Sequence, residues 1–304
     1  MESPRRIFRA GDMMELRRLG RTNLQVSVLG FGGAEIGQQN IEQKSVDYLL
    51  NIALDSGINI IDTAECYGNS EELIGHAVGH RDDVFISTKC GHAEEPNDNW
   101  KPETILSGIE RSLKRLKRDW LDLIQLHSCP FDLLKRGEVI DVLEKARDEG
   151  KVRFIGCSAD GQAAKYAIET GRFDTLQTSF NIADQEALTL TFSLAREKDM
   201  GIIVKRPLAN VVWKHKEKPG NPWLHKYWER IQKLDYGFLD SCVVPLRFAL
   251  SPAAVSTVLV GSVTPKHLTR NAAYASYGAL TAYRFMQIRT RWKKCGGDEW
   301  PGVG

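Results

Sequence analysis

Eight short apolar runs recur along the chain, at residues 28–31, 58–62, 84–89, 121–127, 152–158, 175–180, 201–205 and 255–260. They are rich in Val, Ile and Leu and almost unbroken by polar residues, the pattern of parallel strands covered on both faces. The stretches between them carry a helical period instead. Val46, Leu49, Leu50 and Ala53 fall at i, i+3, i+4 and i+7 with Gly57 as a stop, and Val139, Val142, Leu143 and Ala146 repeat that spacing ahead of Gly150. Ile105, Ile109, Leu113 and Leu116 do much the same behind Pro102, and 186–198 forms a further helical stretch ending before Gly201. Eight strand–helix units within about 250 residues predict an α/β fold of the (β/α)8 TIM-barrel type. A doubly wound sheet alternates in the same way but opens on a glycine-rich phosphate turn. The first turn here, Gly30-Phe31-Gly32-Gly33-Ala34-Glu35, has Glu35 where that fingerprint needs glycine, so the barrel is preferred.

Residues 16–19 and 24–26 flank Gly20-Arg21-Thr22-Asn23 and predict a β-hairpin ahead of the first barrel strand. A helical extension is expected after the last barrel unit. Residues 211–234 interrupt the seventh unit with Trp213, Trp223, Trp228, Pro219 and Pro222 among several lysines and no clean period, which predicts a long functional loop. Residues 1–13 are basic but lack an apolar core segment, so a flexible extension is expected there rather than a secretory signal. That leaves 14–304 as a single barrel domain.

Composition narrows the partners. Lys and Arg total 41 against 39 Asp and Glu, a net charge of +2, too weak a field for nucleic acid or an anionic membrane. No apolar run approaches the ~18 residues of a membrane span. The six cysteines, at 66, 90, 129, 157, 242 and 295, form no C-x-x-C pair. They fit reduced thiols of a cytoplasmic enzyme better than a zinc ribbon or a disulfide framework.

Candidate chemistry sits where barrel enzymes carry it, at the C-terminal ends of the strands. The second run ends in Asp62, with Tyr67 five residues on; the third ends in Lys89, the fourth in His127 and the fifth in Ser158, and the sixth holds Gln177. Each has an ordinary structural explanation alone. Asp62 suits a turn cap, Tyr67 an aromatic at the core's edge, Lys89 a solvated strand end and His127 a hydrogen-bonded core histidine. Polar groups ending successive apolar strands are costly without partners, so together they point to one site at the barrel mouth. A phenol beside an ammonium and a carboxylate makes a general acid: Lys89 is expected to pull Tyr67 below about 10, Asp62 to hold Lys89, and His127 to hold a substrate carbonyl. No nucleophile elbow is present, and no second ligand stands at metal spacing beside His127, so no metal site is predicted. Reduction of a carbonyl by hydride fits, and it requires a cofactor. Phe31, Trp100, Phe131 and Trp213 are expected to form an aromatic pocket wall.

The segment 58–71, INIIDTAECYGNSE, with ISTK at 86–89 and LIQLH at 123–127, resembles the signature of the aldo-keto reductase superfamily. The likeness runs from MELRRLGRTNLQVSVLGFGG near the start to DEWPG near the end. The resemblance implies NAD(P)H-dependent carbonyl reduction on a barrel, with Tyr67 as proton donor, Lys89 and Asp62 as its tuning pair and His127 as the carbonyl-orienting group. It implies a nicotinamide carboxamide held near Ser158 and Gln177. It also implies a pyrophosphate and adenosine held by Arg206, Pro207 and Leu208 and by Gly261, Ser262, Val263, Thr264, His267 and Asn271, the last near the start of the final barrel helix.

Two departures stand out. Ala159 follows Ser158 where the family usually has Asn, with Asp160 as a partial replacement, and His267 and Arg270 stand where many members have Arg and Glu. Arg270 with Lys266 suits a 2′-phosphate, so NADPH is expected, with NADH the alternative. The expected partner is a small-molecule carbonyl compound, and the expected state a monomer or weak oligomer. The rival expectation is an NADPH-binding regulatory barrel with little turnover that acts through a protein partner; a metal-dependent barrel hydrolase lacks ligands. Oxidation of Cys66 or Cys129, close in sequence to Tyr67 and His127, is expected to blunt activity.

Overall fold

The computed structural model describes residues 14–39, 41–92, 99–239 and 241–303; the extension expected at 1–13 lies outside them. An antiparallel hairpin of β1 (Leu16–Arg18) and β2 (Gln25–Ser27) comes first. Eight parallel strands follow: β3 (Leu29–Gly32), β4 (Ile60–Asp62), β5 (Phe85–Cys90), β6 (Leu121–His127), β7 (Val152–Ser158), β8 (Thr175–Ser179), β9 (Gly201–Lys205) and β10 (Val255–Gly261). They close into a barrel in the order β10-β3-β4-β5-β6-β7-β8-β9. This is the TIM barrel with its hairpin, and the helix Ala282–Lys294 supplies the C-terminal extension.

Strand alternation sorts the side chains into two cores. Ile60, Leu123, Ile203 and Leu259 meet Leu19 and Val26 of the hairpin in a small inner cluster. Leu29, Phe31, Ile61, Ile86, Ile124, Ile155 and Leu176 belong to the larger cluster shared with the helices. Gly20 (φ +50) lies so close to the start of β9 that a Cβ there would stand 2.1 Å from the Gly201 nitrogen, a site only glycine fits. The hairpin thus seals one end of the barrel and leaves the ends of the strands for the site.

The helices bury the faces that their periods predict. Gln43–Asp55 buries Val46, Leu49, Leu50 and Ala53, and Pro102–Leu116 opens on Pro102, where a missing N–H costs nothing. Two expectations change. The stretch 186–198 is broken into Glu186–Leu190 and Phe192–Glu197. The insertion 211–234 is no single irregular loop: it ends in the α-helix His225–Leu234, which buries Tyr227, Arg230, Ile231 and Leu234 at helical spacing. A Tyr and an Arg on that face hide the period from a count of apolar residues. Among the described residues no helix is long and apolar enough to cross a membrane.

Candidate active site

The register carries the polar strand ends around the mouth: Asp62 pairs with Ser87, Lys89 with Gln125, His127 with Ser158, and Ser158 with Gln177. Asp62 and Lys89 are buried, and Lys89 Nζ donates to Asp62 Oδ2 at 2.5 Å and to the Thr63 carbonyl at 2.7 Å. The Lys89 ammonium lies 5.0 Å from the Tyr67 ring centroid, and the Tyr67 and His127 rings meet edge-on at 5.5 Å. The four residues therefore converge.

Burial opposes the charge on Lys89, yet Asp62, with the nearby phenol and Cys66 thiol, carries its pKa above the ordinary value. Tyr67 corrects an expectation. Burial raises its pKa, and the opposing pull of Lys89 does not bring it back below 10.0. The phenol is therefore protonated at neutral pH, although Lys89 makes it more acidic than burial alone would. Burial and then Lys89 push His127 down to about 2, so it is a neutral imidazole. Its Nδ1 lies 3.3 Å from Cys66 Sγ, and partial desolvation by its neighbours raises the pKa of that thiol although the residue reaches the surface. A thiol that donates to Nδ1 leaves the His127 proton on Nε2.

Asp62 also anchors a polar chain. Its Oδ1 accepts from Ser87 Oγ at 3.0 Å, Gln125 Nε2 at 3.2 Å and Gln177 Nε2 at 2.8 Å. Gln177 Oε1 accepts from Ser158 Oγ at 3.2 Å, and Ser158 Oγ lies 3.4 Å from Lys205 Nζ. Asp160 does not replace the missing Asn. It turns to Thr178 Oγ1 (2.9 Å), the Ser179 amide (2.6 Å) and Lys205 Nζ (3.0 Å).

A cavity of about 270 Å³ opens over this chain, lined by Asp62, Tyr67, His127, Ser158, Gln177 and Lys205, among others. Gly32, Gly33 and Gly261 also line it. A Cβ on Gly261 would stand 3.1 Å from the Gly32 carbonyl, so its bareness keeps the floor open. Arg206 lines it too, its Nη1 donating to the Val303 carbonyl. The loop after β9 is strained at Arg206 (φ 55), Ala209 (φ 44), Asn210 (φ 53) and Val211 (φ 55), as binding loops often are.

The helix Pro265–Ala275 opens next to Gly261, Ser262 and Thr264. Burial and the charges of Arg270, Lys214 and Lys266 hold His267 below its usual pKa, so three cations surround His267 in the first turns of that helix. Amide and hydroxyl groups beside Lys205 at one end, cations and a helix N-terminus at the other, fit a dinucleotide. Asn271 corrects a detail. It lies more than one turn into the helix and is buried, beyond the first-turn amides that hold anions.

None of the four expected aromatic residues lines this cavity. Phe31 faces the helix layer, because its neighbours Gly30 and Gly32 alternate with it on β3. Phe131 packs edge-on against Tyr166 and beneath Lys135, and half-buried Trp213 packs on the core. Trp100 approaches through His92, whose ring lies 5.4 Å from the indole and 5.1 Å from His127. Sequence reasoning missed His92, whose Nε2 donates to the His127 carbonyl at 2.9 Å. It also missed Lys205, which ends an apolar run just as Lys89 does.

The Aldo/keto reductase family matches residues 28–293, and the chain belongs to that family. Similar proteins include the L-galactose dehydrogenase of Arabidopsis thaliana, 28% identical over 86% of this chain and 88% of that one. The NADH-specific methylglyoxal reductase of Escherichia coli is 27% identical over 84% and 91%. Among solved structures, the holo form of aldo-keto reductase AKR11C1 from Bacillus halodurans superposes with a TM-score of 0.79 at 26% identity, covering 91% of this chain and 96% of that one. The protein is an NAD(P)-dependent oxidoreductase of the carbonyl-reducing kind.

Proposed function

We propose that the protein reduces an aldehyde or ketone to the alcohol with NADPH, Tyr67 giving the proton. The observation that carries this is the convergence of Tyr67, His127 and Asp62 on one cavity, with the buried Lys89 ammonium paired to Asp62 and 5.0 Å from the Tyr67 ring centroid. The bound cofactor supplies the hydride. His127 Nε2–H holds the carbonyl oxygen, and Tyr67 Oη passes its proton to that oxygen as charge develops there. The phenolate left behind is stabilised by the Lys89 ammonium, which Asp62 keeps charged and in place. Ser158 and Gln177 hold the carboxamide, and Arg206 and the start of the 265–275 helix hold the pyrophosphate. Lys214, Lys266 and Arg270 support a 2′-phosphate, which favours NADPH over NADH; similarity to an NADH-specific reductase makes this the part to test first.

The test is a fluorescence titration with each cofactor, followed by 340 nm absorbance on adding a panel of aldehydes. Tighter binding of NADPH, aldehyde-dependent loss of absorbance, and a Tyr67→Phe variant that binds cofactor normally but loses most of kcat are expected. Arg270→Ser should weaken NADPH and leave NADH unchanged. Equal use of both cofactors removes the NADPH preference, and near-normal turnover by Tyr67→Phe removes its proton-donor role.

A further inference from the structure

Lys205 ends β9 inside the cavity, its side chain largely buried, with Nζ 3.0 Å from Asp160 and 3.4 Å from Ser158 Oγ. Its position can be read from proton counts. Ser158 spends its one hydroxyl proton on Gln177 Oε1, and one Gln177 amide proton goes to Asp62. The ammonium has three protons; Asp160 and Ser158 take two, and the third is left for the cavity. Asp160 is not part of the cavity lining. It sits behind Lys205, held by Thr178 and Ser179. The pair is thus a dipole with its positive end toward the space beside Ser158 and Gln177.

Resting on the reading that these two residues hold the carboxamide, we propose that Lys205 is a further cofactor-binding residue. It supplies the donor that Ala159 cannot, and its charge makes the site favour reduced over oxidised nicotinamide. The ring is neutral when reduced and cationic when oxidised, so a nearby positive charge weakens only the oxidised form. This favours loading of the reduced cofactor and release of the spent one, while opposing the positive charge that develops on the ring as hydride leaves. All other contacts are common to the two forms. The ratio of the two affinities therefore reports the ring's charge environment and cancels general damage to the fold.

The experiment measures Kd for NADPH and NADP+ by calorimetry on the full chain and two variants. Lys205→Met leaves Asp160 unpaired, so the ratio Kd(NADP+)/Kd(NADPH) should fall about five- to tenfold. Asp160→Asn leaves Lys205 unpaired, so the ratio should rise. Lys205→Arg keeps the charge and should keep the wild-type ratio within about twofold. Opposite shifts from the two neutralising variants support the proposal, and either of them serves if the other does not fold. An unchanged ratio, or shifts in the same direction, overturns it while leaving the carbonyl-reductase reading intact. Wild-type protein that binds neither cofactor overturns that reading, and this inference with it.

Discussion

Lys89→Met separates the two things that a buried ion pair can do. Its Nζ lies 5.0 Å from the Tyr67 ring; at that distance and an effective dielectric of about 20, one unit charge changes the phenol–phenolate balance by about 3 kcal/mol. That is on the order of a hundredfold in acidity, and kcat/KM for carbonyl reduction should fall by a similar factor. The same substitution leaves the Asp62 carboxylate buried without its cation, a loss of about 3–5 kcal/mol in stability. The lower end is expected, because Ser87, Gln125 and Gln177 still donate to Asp62. A low rate alone would then be ambiguous. The double variant Asp62→Asn with Lys89→Met resolves it: the pair becomes neutral, so most of the stability should return, while Tyr67 still lacks its ammonium. Urea denaturation of each variant, read beside kcat/KM, gives both quantities. If the double variant regains activity along with stability, the pair is only structural and the tuning of Tyr67 by Lys89 is refuted.

Three further outcomes are open to direct measurement. With Tyr67 raised above 10.0 and His127 pushed down to about 2, kcat/KM for reduction should stay flat from about pH 5 to 9 and fall only as Tyr67 ionises; an inflection near the usual histidine pKa of about 6.5 would contradict this. Exposed Cys66 touches His127, so capping thiols with methyl methanethiosulfonate should cost at least about tenfold in activity, reversed by dithiothreitol, whereas Cys66→Ser should resist the reagent. Cys129 is buried and pushed up to about 12, so mass spectrometry should find it unmodified. Burial raises Asp184 to about 6 while it accepts from the Val303 amide at 2.8 Å. Because the folded pKa exceeds the unfolded value of about 3.9, its stabilisation is present below pH ~4 and is lost as pH rises through about 6. Wild-type Tm should therefore fall relative to Asp184→Asn across that window, and parallel Tm curves would refute the assignment.

The fold was legible because its strands are largely covered on both faces, so β6, β7 and β9 stand where mainly apolar runs place them. The convergence of the candidate quartet was legible for a related reason: a charged or polar group ending such a run has nowhere to go but a shared site. The same signal was present at Lys205 and went unused. Facing was legible but overlooked at Phe31, where flanking Gly30 and Gly32 mark the inward positions of β3. The acidity of Tyr67 was not legible, because it is a balance between burial and an ammonium that only packing sets. Nor was His92, which reaches His127 through a backbone carbonyl, a contact that leaves no residue pattern. The cavity wall also depends on loop paths, and the loop after β9 holds conformations that its residues do not favour.

What the barrel assembles at its mouth is one hydrogen-bonded chain with a charged pair at each end. Lys89 and Asp62 stand on the proton-donor side, Lys205 and Asp160 on the side assigned to the cofactor, with Gln177 and Ser158 between them. Each ammonium is matched by a carboxylate, so neither end imposes a net charge on a low-dielectric interior. Each pair nevertheless orients a positive end: toward Tyr67 on one side and toward the cavity beside Ser158 on the other. Carbonyl reduction creates negative charge where the proton is delivered and positive charge where the hydride leaves. On the proposed function the first ammonium would stabilise the former in the transition state, and the second would oppose the latter both as it develops and once the hydride has gone. Gln177 joins the two halves, donating to Asp62 and accepting from Ser158. Its amide fixes the distance between acid and cofactor bed, on which hydride and proton delivery to one carbonyl depend.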